Sequence, residues 1–461
     1  MNATNETSID LSSLRSGLAE PVVAPGDEGY DEARQAWALL ADPRPAAVAF
    51  PTGPVEVAAA VRFARANGLR VALQATGHGA SPLESLERAL LVKTTHMTGL
   101  EIDPAGRRAR AEAGVLWGDV VAAAGAEGLA CLHGSSSDTG VIGYTLGGGI
   151  GWYSRRYGLA SNSVLAVEAV TAEGELVRCD AETEPDLFWA LRGGGGAFAA
   201  VTALEFSLYP VGDLYAGWLV FEATDSRAAL HAYRDWAAAA PDEVTTSFRL
   251  LHLPPLPEVP EPLRDRPVVA IDGVFMGTEA EAARLLAPLR ECAPLVMDTF
   301  APMPAAELGP LHGDPEQPVP SIGDGVLVRD LTPEAVDALI EVGGPGSGSP
   351  LLSLELRQVG GAVARVGEGA GALAAIDAEF VLYAVGLPMA DGMAEAIGDH
   401  IERVKEAVAP WSGGRYLNFG DAPSDSAESF DAGTWARLRK VKSRYDADDL
   451  FCSNHPVPPA G

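Results

Sequence analysis

Between residues 45 and 210, short β-branched runs alternate with stretches whose apolar positions recur at helical spacing, the pattern of layered strands and helices. Pro54 opens a helix with Val57, Val61 and Ala64 on one face, and Gly68 closes it before a strand over Arg70–Gln74. A second unit follows as a strand over Arg108–Ala113 and a helix over Trp117–Ala126, and further strands are predicted at Val164–Thr171 and Ala200–Leu208. From about residue 212 the glycine clusters thin, and Pro-rich stretches at 253–263 and 309–320 read as surface loops. Thr332 as N-cap, Pro333 in the first turn and Glu334 near the positive end of the dipole start a helix over 332–341. Strands at Leu351–Val359 and Glu379–Val385 and a helix over 390–408 come next. The tail, 413–457, carries one strand, a basic helix over Trp435–Tyr445 and a Pro-rich stop. The class is α+β, with no repeat at solenoid or propeller period.

Composition narrows the function classes. The 461 residues suffice for two or three domains at about 150 residues each. With 33 basic against 63 acidic residues the net charge is −30, a field that repels nucleic acid and anionic lipid. No apolar run is long enough for a membrane span, and the first residues lack a basic segment followed by an apolar one, so the expected location is the cytoplasm and no membrane or nucleic-acid partner is expected. Cys131, Cys179, Cys292 and Cys452 lie far apart, which argues against structural zinc or a disulfide framework, and no metal is expected.

Glycines cluster at the ends of predicted elements: Gly77-His78-Gly79 after a strand, Gly143 to Gly151 after a helix and strand, and Gly193 to Gly196 after a helix. Such placement lets backbone N–H groups approach a pyrophosphate. None of the clusters matches GxxxxGK[ST], and GxGxxG is absent at a strand–helix junction, so P-loop and standard dinucleotide folds are poorly supported. Taken alone, turn glycines are the better explanation of them.

The order of the whole set is more specific. FPTGPVEVAAAVRFARANGLRVALQATGHGAS, then AEAGVLWGDV, then HGSSSDTGVIGYTLGGGIGWYSRRYGL, then DLFWALRGGGGAF resemble the FAD-binding domain of the vanillyl-alcohol-oxidase and p-cresol-methylhydroxylase superfamily. GRYLNFGD followed by WARLRKVKSRYDADDLFCSNHPV resembles the C-terminal segment of berberine-bridge-type oxidases. The resemblance implies a two-part FAD-binding domain at 41–212 and 413–461, after a leader at 1–40. An α+β substrate domain with an antiparallel sheet would occupy 213–412.

It also implies site residues. His78, in the turn Thr76, Gly77, Gly79 and Ala80, would be joined to the 8α-methyl carbon of FAD; imidazole is a competent nucleophile for that bond. Many relatives add a cysteine link at the position of Ser136, and serine forms no thioether, while Cys131 sits too early; a single covalent bond through His78 is expected. Thr139 would gate oxygen, and Gly140, Gly143, Gly147, Gly148, Gly149, Asn418 and Asn454 would contact the cofactor. On Ser353-Leu354-Glu355-Leu356-Arg357 the polar side chains share one face of a strand. By resemblance that face meets the substrate, with Ser353 and Arg357 as substrate contacts and Glu355 ionised beside Arg357. Tyr416 and Asn418, placed on the last strand of the tail, would approach the flavin.

The chain departs from its relatives at Phe419, where many carry a tyrosine that serves as base. Glu355 and Tyr416 are the substitute candidates, unless an amine substrate needs little proton abstraction. Ile150 also replaces a phenol, and Ala197 and Ala199 stand where relatives have Asn and Gly. The implied activity is an FAD-dependent oxidase that takes hydride from a C–H beside N or O of a small polar molecule, with O2 as acceptor and H2O2 as product. An oxidative cyclase or desaturase on the same fold, or a flavin-binding protein without turnover, are the alternatives.

Overall fold

The computed structural model describes residues 9–255, 259 and 261–461; residues 1–8 of the leader and 256–258 and 260 of the first Pro-rich stretch lie outside the described residues. In the first part, a parallel sheet runs in the order Ala47–Ala49, Ala89–Lys93, Arg70–Gln74, Phe451–Cys452. The tail therefore supplies an edge strand to a sheet begun some 380 positions earlier, Phe451 pairing with Val71. A five-stranded antiparallel sheet, Leu100–Asp103, Arg108–Glu112, Ala200–Ser207, Val164–Val170 and Leu176–Cys179, lies beside it. The helix Pro54–Ala66 buries Val57, Val61 and Ala64 in the shared core, the face its spacing predicts. Leu11, Leu14, Leu18 and Val22 of the leader are buried in that same core.

The second part is an eight-stranded antiparallel sheet. The helices Ser226–Ala239, Glu279–Arg290, Pro333–Gly343 and Met393–Val408 cover one of its faces and share a core with Phe248, Ile271, Leu354, Leu356 and Leu382. Strand alternation then sends Arg249, Asp272, Glu355, Arg357 and Tyr383 to the opposite face. The register aligns them: Arg249 faces Glu355, Glu355 faces Tyr383, and Ser247 stands between Arg357 and Asp272.

Two expectations need correction. Tyr416 and Asn418 are not on a strand: Leu417–Phe419 forms a single 3₁₀ turn, and the tail's strand is Phe451–Cys452. The local side chains are held by individual hydrogen bonds rather than by a ladder, which strand propensity does not report. The stretch 309–320 is not simply a surface loop, since His312 within it is 2% exposed; a Pro-rich composition marks irregular backbone but not what that backbone packs against. Among the described residues, no helix is long and apolar enough to cross a membrane.

The tail is pinned by one buried cation. The basic helix Ala432–Tyr445 carries Lys442, whose fully buried Nζ donates to Ala197 O at 2.8 Å and to Asp446 Oδ2 at 2.6 Å, and contacts Asp449 Oδ1 at 2.8 Å. Lys442→Ala should cost about 3 kcal/mol, because Asp446 stays buried without its cation. A fall in the thermal midpoint, with faster proteolysis of the tail, checks it.

Candidate active site

A cavity of about 470 Å³ lies between the glycine-rich segments of the first part and the polar face of the second. The strand Arg70–Gln74 ends in the turn Thr76–Ala80, and Gly77 adopts φ 88° there, with Ala36 Cβ 2.8 Å and Gln74 Nε2 2.9 Å from where a Cβ would sit. Only glycine fits that turn, which aims His78 at the cavity. His78 Nδ1 is bonded to Thr76 Oγ1 at 2.8 Å. Its Nε2 stands 3.4 Å from Asp138 Oδ1 without forming a hydrogen bond. Trp37 stacks on the imidazole at 4.1 Å and donates its indole N–H to Asp138 Oδ2 at 2.6 Å. Burial raises the Asp138 pKa, but its contacts with His78 and Trp37 outweigh this and keep it ionised.

The facing wall is charged. Arg357 Nε donates to Glu355 Oε1 at 2.6 Å. His312 lies between Asp272, 2.5 Å from Nδ1, and Glu355, 3.3 Å from Nε2. Arg357 Nη2 also reaches Nε2 at 3.0 Å, so a neutral ring would accept from Arg357 and a charged ring would donate to Glu355. Burial and Arg249 push the His312 pKa down, yet Asp272, Asp314 and Glu355 prevail and raise it to about 9, which favours the charged ring. Burial raises the Glu355 pKa, and Arg357 and His312 more than reverse this, holding the carboxyl well below its ordinary range. Arg249 stacks over Trp218 at 4.2 Å and donates to His312 O. Cations and carboxylates are interleaved along this wall, so it can orient a polar or ionic group without a large net field.

Thr76, Gly77, His78, Gly79, Ala80, Ser136, Thr139, Gly140, Gly143, Gly147, Ser353, Glu355, Arg357, Tyr416, Asn418 and Asn454 all border this one cavity. Gly148 and Gly149 do not: their Cα positions pack against Tyr416 and Tyr144, so they shape the turn rather than the cavity wall. Ser136 Oγ donates to Asp314 Oδ2 at 2.8 Å, as does Ser135 Oγ at 2.7 Å. Tyr416 Oη accepts from the backbone N–H groups of Gly149 and Ile150 at 2.9 and 3.1 Å and from Asn418 Nδ2 at 3.1 Å. That phenol is thereby a clasp between the tail and the glycine turn. Sequence reasoning missed Trp37, Asp138, Arg249, Asp272, His312, Asp314, Tyr383 and Asp421; Asp138 and Asp421 lie within the motifs that carry the resemblance, and the rest carry no local signal.

Two observations test whether these residues suit an FAD. Nothing lies within 4 Å of where a Cβ on Gly143 would sit, and Gly195 and Gly196 are nearly as open, so the first wall presents bare backbone to the cavity. His78 Nε2 has no hydrogen-bond partner on that same wall. Both suit a flat, phosphate-bearing group held against backbone with one nucleophile beside it.

The family described as "FAD binding domain" matches residues 45–180. YvdP of Bacillus subtilis (strain 168), named an uncharacterized FAD-linked oxidoreductase, is 23% identical over 455 residues, covering 96% of this chain and 99% of that one. This chain carries an FAD-binding domain. Another relative, (R)-6-hydroxynicotine oxidase of Paenarthrobacter nicotinovorans, is 34% identical over 223 residues, and this match spans about half of each chain, 47% and 49%. Among solved structures, 6-hydroxy-D-nicotine oxidase from Arthrobacter nicotinovorans superposes on this chain with TM-score 0.78 at 26% identity, covering 94% and 96% of the two chains. Berberine bridge enzyme from Eschscholzia californica gives TM-score 0.83 at 18% identity, covering 98% and 99%, a likeness of fold.

Proposed function

We propose that this FAD-linked oxidoreductase is an oxidase that takes hydride from a C–H beside N or O of a small polar molecule, with FAD attached through His78 alone. The observation that carries the reading is the placement of His78, with Nε2 unbonded, on a bare glycine wall opposite the buried Glu355–Arg357 pair. Bound FAD would supply hydride acceptance and return the electrons to O2 as H2O2. The protein's part is position. Trp37 stacks on the His78 ring and Asp138 stands beside its Nε2, and Ser136 offers no sulfur for a second link. Asn418 donates its amide to Tyr144 O at 2.9 Å and keeps the tail against the glycine turn. Ser353, Glu355 and Arg357 would take the polar end of the substrate, their charges already satisfied by each other so that a neutral or ionic partner adds few desolvation costs. Thr139, on the cavity wall, would leave room for oxygen.

The test is the visible spectrum of purified protein before and after acid precipitation, with mass spectrometry of the tryptic peptide containing His78. Flavin colour in the pellet and FAD mass on that one peptide are expected. Colour released to the supernatant removes the tether, and a protein that FAD cannot reconstitute removes the oxidase.

A further inference from the structure

Of the carboxylates bordering the cavity, Glu355 and Asp314 are already committed, as is Asp138 beside His78. Glu355 is held ionised by Arg357 and His312, Asp314 by His312, Arg357 and the hydroxyls of Ser135 and Ser136, and Asp138 by His78 and Trp37, each against the effect of burial. Tyr416 already accepts three donors, and His455, buried, is held down to about 4. A group that must accept a proton during turnover is none of these.

Asp421 differs. It borders the cavity two positions after Phe419, and the Tyr383 hydroxyl donates to its Oδ2 at 2.5 Å. Tyr383 also borders the cavity, on the strand next to Glu355, and its ring packs on Phe419 at 4.9 Å between centroids. The facing strand leaves space for the pair at Gly323: a Cβ there would lie 2.3 Å from Tyr383 Oη and 3.1 Å from Asp421 Oδ2. Thus a phenol hydrogen-bonded to a carboxylate sits against the ring that lacks a hydroxyl. The other groups facing Asp421 are Asp324 and Arg415, and Asp324 is itself paired with Lys405 and Arg415. Burial and Asp324 raise the Asp421 pKa to about 6 against Tyr383 and Arg415, a value suited to a base working near neutral pH.

We propose that Tyr383 and Asp421 together accept the substrate's proton. This rests on the oxidase reading above. As hydride leaves the carbon for FAD, the Tyr383 oxygen takes the proton from the neighbouring O–H or N–H, and the original Tyr383 proton moves to the Asp421 carboxylate. The substrate loses two electrons and becomes C=O or C=N; O2 accepts those electrons, and the Asp421 proton returns to solvent.

The experiment uses FAD-loaded wild type, Tyr383→Phe, Asp421→Asn and Glu355→Gln. Infrared spectra taken across pH follow carboxyl protonation, and anaerobic flavin bleaching is timed with 6-hydroxynicotine, benzyl alcohol and cellobiose. A carboxyl titrating near pH 6 in wild type and absent in Asp421→Asn is expected. Bleaching should rise with pH through the same midpoint in wild type and Glu355→Gln and lose that dependence in Asp421→Asn, while Tyr383→Phe slows it by about 100-fold. Flavin content and thermal midpoints of Tyr383→Phe and Asp421→Asn should match wild type, which separates proton transfer from a packing role. Bleaching with an unaltered pH limb in Asp421→Asn, or no carboxyl titration that this variant removes, overturns the pair alone. Wild type that holds FAD yet is bleached by no donor overturns the oxidase reading, and the pair falls with it.

Discussion

His78→Ala is expected to abolish covalent flavin altogether, so that acid precipitation leaves a colourless pellet and a yellow supernatant. The imidazole is the one nucleophile that the Thr76–Ala80 turn aims into the cavity, and its neighbour Ser136 has its hydroxyl committed to Asp314. Its surroundings do not depend on it for folding: the side chain is 21% exposed, and Trp37 keeps its bond to Asp138 in the variant. The variant should therefore fold and bind FAD reversibly. Flavin that stays in the pellet of His78→Ala would refute the assignment.

Arg357→Ala is expected to be the most destabilising change at the site, at about 3–5 kcal/mol, because it leaves Glu355 and Asp314 with His312 as their remaining cation. Glu355 is 5% exposed, and the Arg357 guanidinium is its nearest partner. The pH dependence carries a sign on each side. Glu355 has a pKa lowered from 4.5 in the folded chain, so its contribution is whole above that value and is lost as pH falls. His312 is raised from 6.5 to about 9, so its contribution is whole below 6.5 and is lost as pH rises through about 9. Wild type should be most stable in the interval between the two ordinary values. In Arg357→Ala the acid limb moves upward, since Glu355 protonates more readily without its cation. Urea unfolding at a series of pH values measures both limbs, and a variant with wild-type stability across the series would contradict the buried-wall account.

The two variants probe walls that differed in how far they could be read beforehand. His78 and its flanking glycines lie within a few positions of one another, and the conformation of that turn is a local matter. The alternation of Ser353, Glu355 and Arg357 about Leu354 and Leu356 is also local, a consequence of pleating, and the leucines do enter the helix-covered core. The strands Val244–His252 and Pro267–Met276 escaped notice because they are central and buried on both faces for much of their length, which erases the polar alternation. Arg249 and Asp272 were hidden with them.

What the sequence by itself determined was the α+β class, the glycine turn around His78, the polar edge of one strand, and an FAD-binding resemblance strong enough to name the cofactor. The first three follow from side-chain spacing or backbone freedom within a short stretch, and the resemblance from the order of several motifs along the chain. Only the tertiary structure brought Trp37 onto His78, His312 between Asp272 and Glu355, and Tyr383 onto Asp421, and set the Tyr416 hydroxyl on the backbone of Gly149 and Ile150. Those contacts join residues tens to hundreds of positions apart, and their partners are selected by strand register and by the packing of two cores against one cavity. Spacing along the chain encodes neither.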